Sequence, residues 1–119
     1  MSRIWDNMNL KVAKFHPAIE SVIREFPDEI RRELGKAIFE LQKGIKLQMP
    51  LSRPMPDVGS GVHEIRLKDR SGIYRVFYVT FSEGGVLVFH AFKKTTQKTP
   101  NRELNLGKKR LKEMLNEEY

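Results

Sequence analysis

The chain has 119 residues, a formal net charge of +7 and no cysteine. That length suits one compact domain, residues 1–119, with a core of its own; the absent thiols exclude disulfides, thiolate zinc sites and cysteine nucleophiles. The basic balance favours a polyanionic partner, either nucleic acid or an acidic protein. No apolar run approaches the roughly 18 residues that cross a membrane, and Asp6, Asn7 and Asn9 interrupt the stretch a signal peptide needs. A soluble, cytoplasmic protein is expected.

Asn9 to Phe15 alternates as a strand, with Leu10 and Val12 on one side and Ala13 and Phe15 on the other. Pro17 suits the first position of a helix, and Ile19, Val22, Ile23 and Phe26 follow at helical spacing. A second helix starts at Pro27, with Asp28 and Glu29 favouring the positive end of its dipole. Ile30, Leu34, Ala37, Ile38 and Leu41 form its buried stripe, and Gly44 is a natural stop.

Ile45 to Gly61 holds most of the prolines and reads as a long loop. Such length in so small a domain implies that the loop packs against something. Three strands follow, Val62 to Lys68, Ile73 to Thr80 and Val86 to Phe92, joined by polar glycine turns as a meander of hairpins. Lys93 to Pro100 reads as a basic loop. A last helix runs from Arg102 or Glu103 to the C-terminus, with a partial stripe of Leu104, Leu111 and Leu115, and Gly107 weakens it. The order predicts an α+β domain with its helices on one face of a mostly antiparallel sheet.

Dinucleotide, P-loop, zinc-protease and serine-hydrolase motifs are absent. His16, His63 and His90 lack metal-ligand spacing, so neither a metal nor a cofactor is expected. Alternation puts Glu64, Arg66 and Lys68 on one face of the first meander strand. Arg75 lies inside the second strand between Ile73 and Phe77, an unusual position for an arginine. Two readings stay open for it: a structural ion pair, for example with Glu64, or a guanidinium held rigidly to grip phosphate. The third strand ends in His90, which titrates near neutrality and suits either structural or acid–base work. Lys93, Lys94, Thr96, Gln97 and Lys98 follow, supplying cations, hydroxyls and an amide suited to phosphate, or simply a solvated loop. Lys108, Lys109, Arg110 and Lys112 add charge to the last helix.

The runs Gly61-Val62-His63-Glu64-Ile65-Arg66, Ile73-Tyr74-Arg75-Val76-Phe77-Tyr78 and His90-Ala91-Phe92-Lys93-Lys94 continuing to Pro100 resemble the phage-derived, HigB-like branch of the RelE/ParE toxin superfamily. Phe26-Pro27, the stretch from Leu41 to Gly44 and the closing Leu106-Gly107-Lys108-Lys109-Arg110-Leu111 fit as well, so the likeness covers nearly the whole chain. The resemblance implies a RelE-like fold, two N-terminal helices packed on the sheet plus a C-terminal helix. It also implies a toxin paired with an antitoxin, usually one with a helix-turn-helix DNA-binding domain, in a hetero-oligomer. For RelE-like members it implies metal-free cleavage of messenger RNA on the ribosome, with the ribose 2′-OH as nucleophile.

By position, Arg66 and Arg75 match the basic strand residues that hold the RNA backbone, and His90, Lys94 and Lys98 fall in the C-terminal basic motif. The expected catalytic residues are Arg66, Arg75, His90 and Lys94, and the expected RNA-binding residues Lys68, Lys93, Thr96, Gln97 and Lys98. The family often has a second lysine after the position of Lys94, where this chain has Thr95. Two other activities stay open on such a fold. One is non-enzymatic inhibition of DNA gyrase, as in the ParE branch; the other is a non-catalytic RNA-binding regulatory module.

Overall fold

The computed structural model describes residues 10–117. Asn9 and the upstream residues read against a signal peptide lie outside them. In chain order the elements are β1 (Val12–Phe15), a 3-10 turn (Pro17–Ile19), α1 (Glu20–Arg24), α2 (Asp28–Gln42), β2 (Ser52–Pro54), β3 (His63–Asp69), β4 (Gly72–Thr80), β5 (Gly85–Lys94) and α3 (Asn101–Asn116). No described helix is long and apolar enough to cross a membrane.

The strands form one mixed sheet in the order β1-β5-β4-β3-β2. β1 pairs with β5 in parallel, and the other neighbours are antiparallel. Gly85 makes the parallel pair possible: a Cβ there would sit 2.4 Å from the Val12 carbonyl oxygen. In β5 the ladder steps from Phe77–His90 to Tyr78–Val88, leaving Phe89 as an extra, bulged residue.

The expected α+β architecture is present, with one correction: the helices do not share a face. α2 brings Ile30, Leu34, Ala37, Ile38 and Leu41 onto one face of the sheet, against Ile65, Tyr74, Val76, Val86 and Val88. α3 lies on the other, where Met114, Leu104 and Leu111 pack on Phe77, Val79, Phe89 and Phe92. The cause is in β4, whose residues Tyr74 to Val79 are all buried. Because successive side chains point to opposite faces, such a strand needs cover on both sides.

Smaller differences have local causes. The helix expected from Pro17 to Phe26 is a 3-10 turn followed by five α-helical residues; His16 caps the turn through Nδ1, which accepts from the Ala18 N–H at 3.0 Å. Pro27 caps α2 from outside rather than opening it, and Gly44 ends the helix in the left-handed region at φ 86°. The long loop contains β2, which adds to β3 with Arg53 opposite Glu64. Its Ser52 hydroxyl shares a 2.6 Å hydrogen bond with Tyr78. The rest of the loop spans both sides: Leu47 and Leu51 pack on the α2 side, and Met55 and Val58 on the α3 side.

Candidate nucleic-acid interface

The register of β2 to β5 writes three rows of side chains across the face that carries α3, since directly opposed residues share a face. The outermost row is Lys68, Ile73 and Lys94. The next is Arg66, Arg75 and Phe92. The third is Arg53, Glu64, Phe77 and His90. Gly107 of α3 rests on Phe77, where an added Cβ would meet the ring at 2.8 Å. α3 therefore covers the third row on its β4–β5 side. The outermost row stays accessible, with Lys68 and Ile73 exposed and Lys94 half-buried.

Two arginines directly opposite one another repel. Glu64 offsets this: its Oε1 lies 3.4 Å from Arg75 Nε and 3.6 Å from Arg66 Nε. Glu64 and Arg75 are only 3% and 6% exposed. Neither contact has hydrogen-bond geometry; Glu64 Oε2 and both arginine Nε atoms are buried with no hydrogen-bond partner among the described residues. One Arg75 bond remains, from Nη1 to the Tyr74 carbonyl at 3.3 Å. The cluster is thus under-satisfied and carries an excess of positive charge. Burial lowers the Arg75 pKa, Glu64 opposes that, and Arg66 and Arg53 add to it. Lys94 is lowered as well, first by burial and then by Arg75 across the strand pair.

An open cleft of about 480 Å³ adjoins the cluster, with Arg66, Lys68 and Arg75 in its wall. Three cations in the wall of a cleft, two of them within 4 Å of a single carboxylate, can grip and neutralise a phosphodiester. Among the described residues no three His, Asp or Glu side chains come together as a metal-ligand set.

Arg66, Arg75, Lys94 and Lys68 of the expected site therefore stand together. Lys93 stands apart: β5 continues through Lys94, and alternation sends Lys93 to the opposite face, its Nζ 5.9 Å from the Tyr74 ring centre. Thr96, Gln97 and Lys98 are exposed on the following loop, where Thr96 Oγ1 donates to the Lys98 carbonyl at 2.5 Å.

His90 lies beneath α3, 2% exposed, among Phe77 and Phe92. Arg110 Nη1 donates to its Nδ1 at 2.8 Å, so Nε2 carries the proton and donates to Glu103 Oε1 at 2.8 Å. Burial, with Arg110 adding to it, lowers the His90 pKa, while the Glu103 hydrogen bond opposes. Both ring nitrogens are engaged while α3 is docked. A second histidine does the same further along: His16 Nε2 donates to Glu113 at 2.9 Å.

Arg53 and Glu64 were not among the expected site residues. Alternation already put Glu64 on the face of Arg66, but Arg53 joins only through β2, a strand that proline-rich sequence hides.

The family model "Phage derived protein Gp49-like (DUF891)" matches residues 21–112. The chain belongs to this Gp49-like family. The matched span includes every strand of the cation cluster and all but the last residues of α3. No curated protein matches the chain.

Proposed function

We propose that this Gp49-like protein is a toxin that arrests translation by cutting messenger RNA on the ribosome, without a metal. The observation that carries the reading is the pair Arg66 and Arg75, directly opposed across β3 and β4 in the wall of the cleft, with Lys94 in the adjoining row. Membership of a toxin-like phage-derived family supports it, as does the net charge of +7.

In this reading the two guanidiniums hold the scissile phosphate and stabilise the charge that builds on it as the ribose 2′-oxygen attacks. The new bond joins the 2′-oxygen to phosphorus and the bond to the 5′-oxygen breaks. This leaves a 2′,3′-cyclic phosphate and a 5′-hydroxyl. The 2′-OH proton must leave and the departing 5′-oxygen must gain one. Lys94, its pKa lowered by burial and by Arg75, stands in the row adjoining the arginines and is the proton carrier in this reading. Glu64 is a positioning residue that holds Arg66 and Arg75 in register. Proton transfer by His90 requires α3 to lift away, because both its nitrogens are occupied. An antitoxin covering the same cationic face would silence the protein, and its affinity should fall steeply with salt.

The test is purified ribosomes programmed with a defined message, read by primer extension. Cuts within the A-site codon are expected. An intact message with normal translation would remove the reading. If a DNA supercoiling assay instead showed gyrase inhibition, the fold would be acting without catalysis.

A further inference from the structure

Ile73 is the odd residue of the cation face. It is 38% exposed at the hairpin end of the central strand, with Lys68 opposite on β3, Lys94 opposite on β5 and Arg75 two residues on. An exposed isoleucine ringed by cations repels no water-borne anion and pairs with none. Beside it lies the 480 Å³ cleft, whose remaining wall is apolar and includes Pro50 and Leu51. The Leu51 main chain is fixed there, since its carbonyl accepts from the Arg66 N–H at 2.8 Å. The cleft thus joins an aliphatic wall to a cationic rim whose buried arginine nitrogens lack hydrogen-bond partners.

We propose that this cleft seats one nucleobase of a single-stranded RNA, packed against Ile73 and Pro50, while the adjoining phosphate rests on Arg66 and Arg75. The inference rests on the RNA-directed reading above and adds a base-binding subsite to it. Single-stranded nucleic acid alternates a flat apolar group with an anion along its chain, which is the pattern of this surface. The volume lies within the range of small-ligand sites, about 300–1,000 Å³. An aliphatic wall offers no hydrogen-bond readout, so the subsite takes any base, as stacking surfaces do. An acidic peptide with an apolar anchor is the competing occupant. It is less favoured because carboxylates on flexible side chains do not supply the fixed base-to-phosphate spacing that a rigid strand register matches.

Fluorescence anisotropy on the intact chain tests this with two probes of equal length and charge: a short single-stranded RNA and the same sugar–phosphate backbone without bases. The RNA should bind about fivefold more tightly than the abasic backbone. Ile73→Ala should remove most of that difference and leave the abasic affinity unchanged, and Ile73→Tyr should restore or enlarge it. Ile73 is exposed enough for both variants to fold. Equal binding of the two probes, or an Ile73→Ala variant that still prefers RNA as strongly, would overturn the base subsite and leave the RNA reading standing. Binding of neither probe would overturn both. An Ile73→Ala effect confined to an acidic apolar peptide would make the cleft a protein-docking site instead.

Discussion

At Glu64 a single carboxylate stands among the five cations of one sheet face, Arg53, Arg66, Lys68, Arg75 and Lys94. Without it, Arg66 and Arg75 stand directly opposed with Arg53 and Lys94 in the adjoining positions. Glu64→Gln keeps the shape and removes the charge. It should lower stability by about 3 kcal/mol, the order found when one partner of a buried ion pair is lost. Urea unfolding should show this most clearly at low salt. Arg75→Lys should fold but lose the planar fork, so cleavage should fall more than RNA affinity does.

His90 gives the residue scale a pH signature. Its folded pKa lies below the reference value of about 6.5. The unfolded chain therefore binds the proton first as pH falls. The stabilisation is whole above about 6.5 and is lost as pH drops toward the lowered value. Thermal unfolding between pH 7.5 and 5.5 should show the fall, and a His90→Gln variant, though less stable overall, should show a flatter profile. An unchanged slope in that variant would mean that His90 does not titrate with unfolding.

Among the elements, α3 depends on one glycine. Alanine is the better helix former by about 1 kcal/mol, yet a Cβ at Gly107 would strike the buried Phe77 ring. Gly107→Ala should therefore destabilise the fold by about 1–3 kcal/mol, as overpacking does. An unchanged or raised unfolding midpoint would show that Phe77 yields. Sequence periodicity announces this helix but misreads its contact stripe. Leu104 and Leu111 do pack on the sheet, whereas Met114 is buried and Leu115 is 56% exposed. Gly107 supplies the missing position of the stripe, and a glycine carries no hydropathy signal.

The three hairpin strands are legible because glycine turns bound them and their residues are rich in β-branched and aromatic side chains. β2 is not legible: three residues ending in Pro54 owe their extended form to pairing with β3, and only an edge position admits that proline. The separation of Lys93 from Lys94 follows from strand alternation once β5 is known to extend that far. Its extension is set by Ile73 and Tyr74 on β4, which local composition does not reveal.

For the whole molecule, the two-sided burial of β4 and β5 accounts for the distribution of function. One face is spent on α2 and the core. The other is divided between α3, clipped down through His90 and His16, and an open cationic strip. Sequence alone marked Arg66 and Arg75 of the strip but placed all helices on one side, because an amphipathic stripe does not say which face of a sheet it meets. The measurement that bears most directly on the strip as an RNA-cleaving surface is single-turnover cutting of an A-site codon by the native chain, Arg66→Ala and Lys94→Ala. These two residues are less buried than Arg75, so their variants should keep the fold. Each should slow cutting by about a hundredfold or more, the order of losing one charge-stabilising group at a reacting centre. Cutting at the native rate by either variant, with the fold intact, would contradict the role given to that residue, and by both would contradict the cationic strip as the catalytic surface.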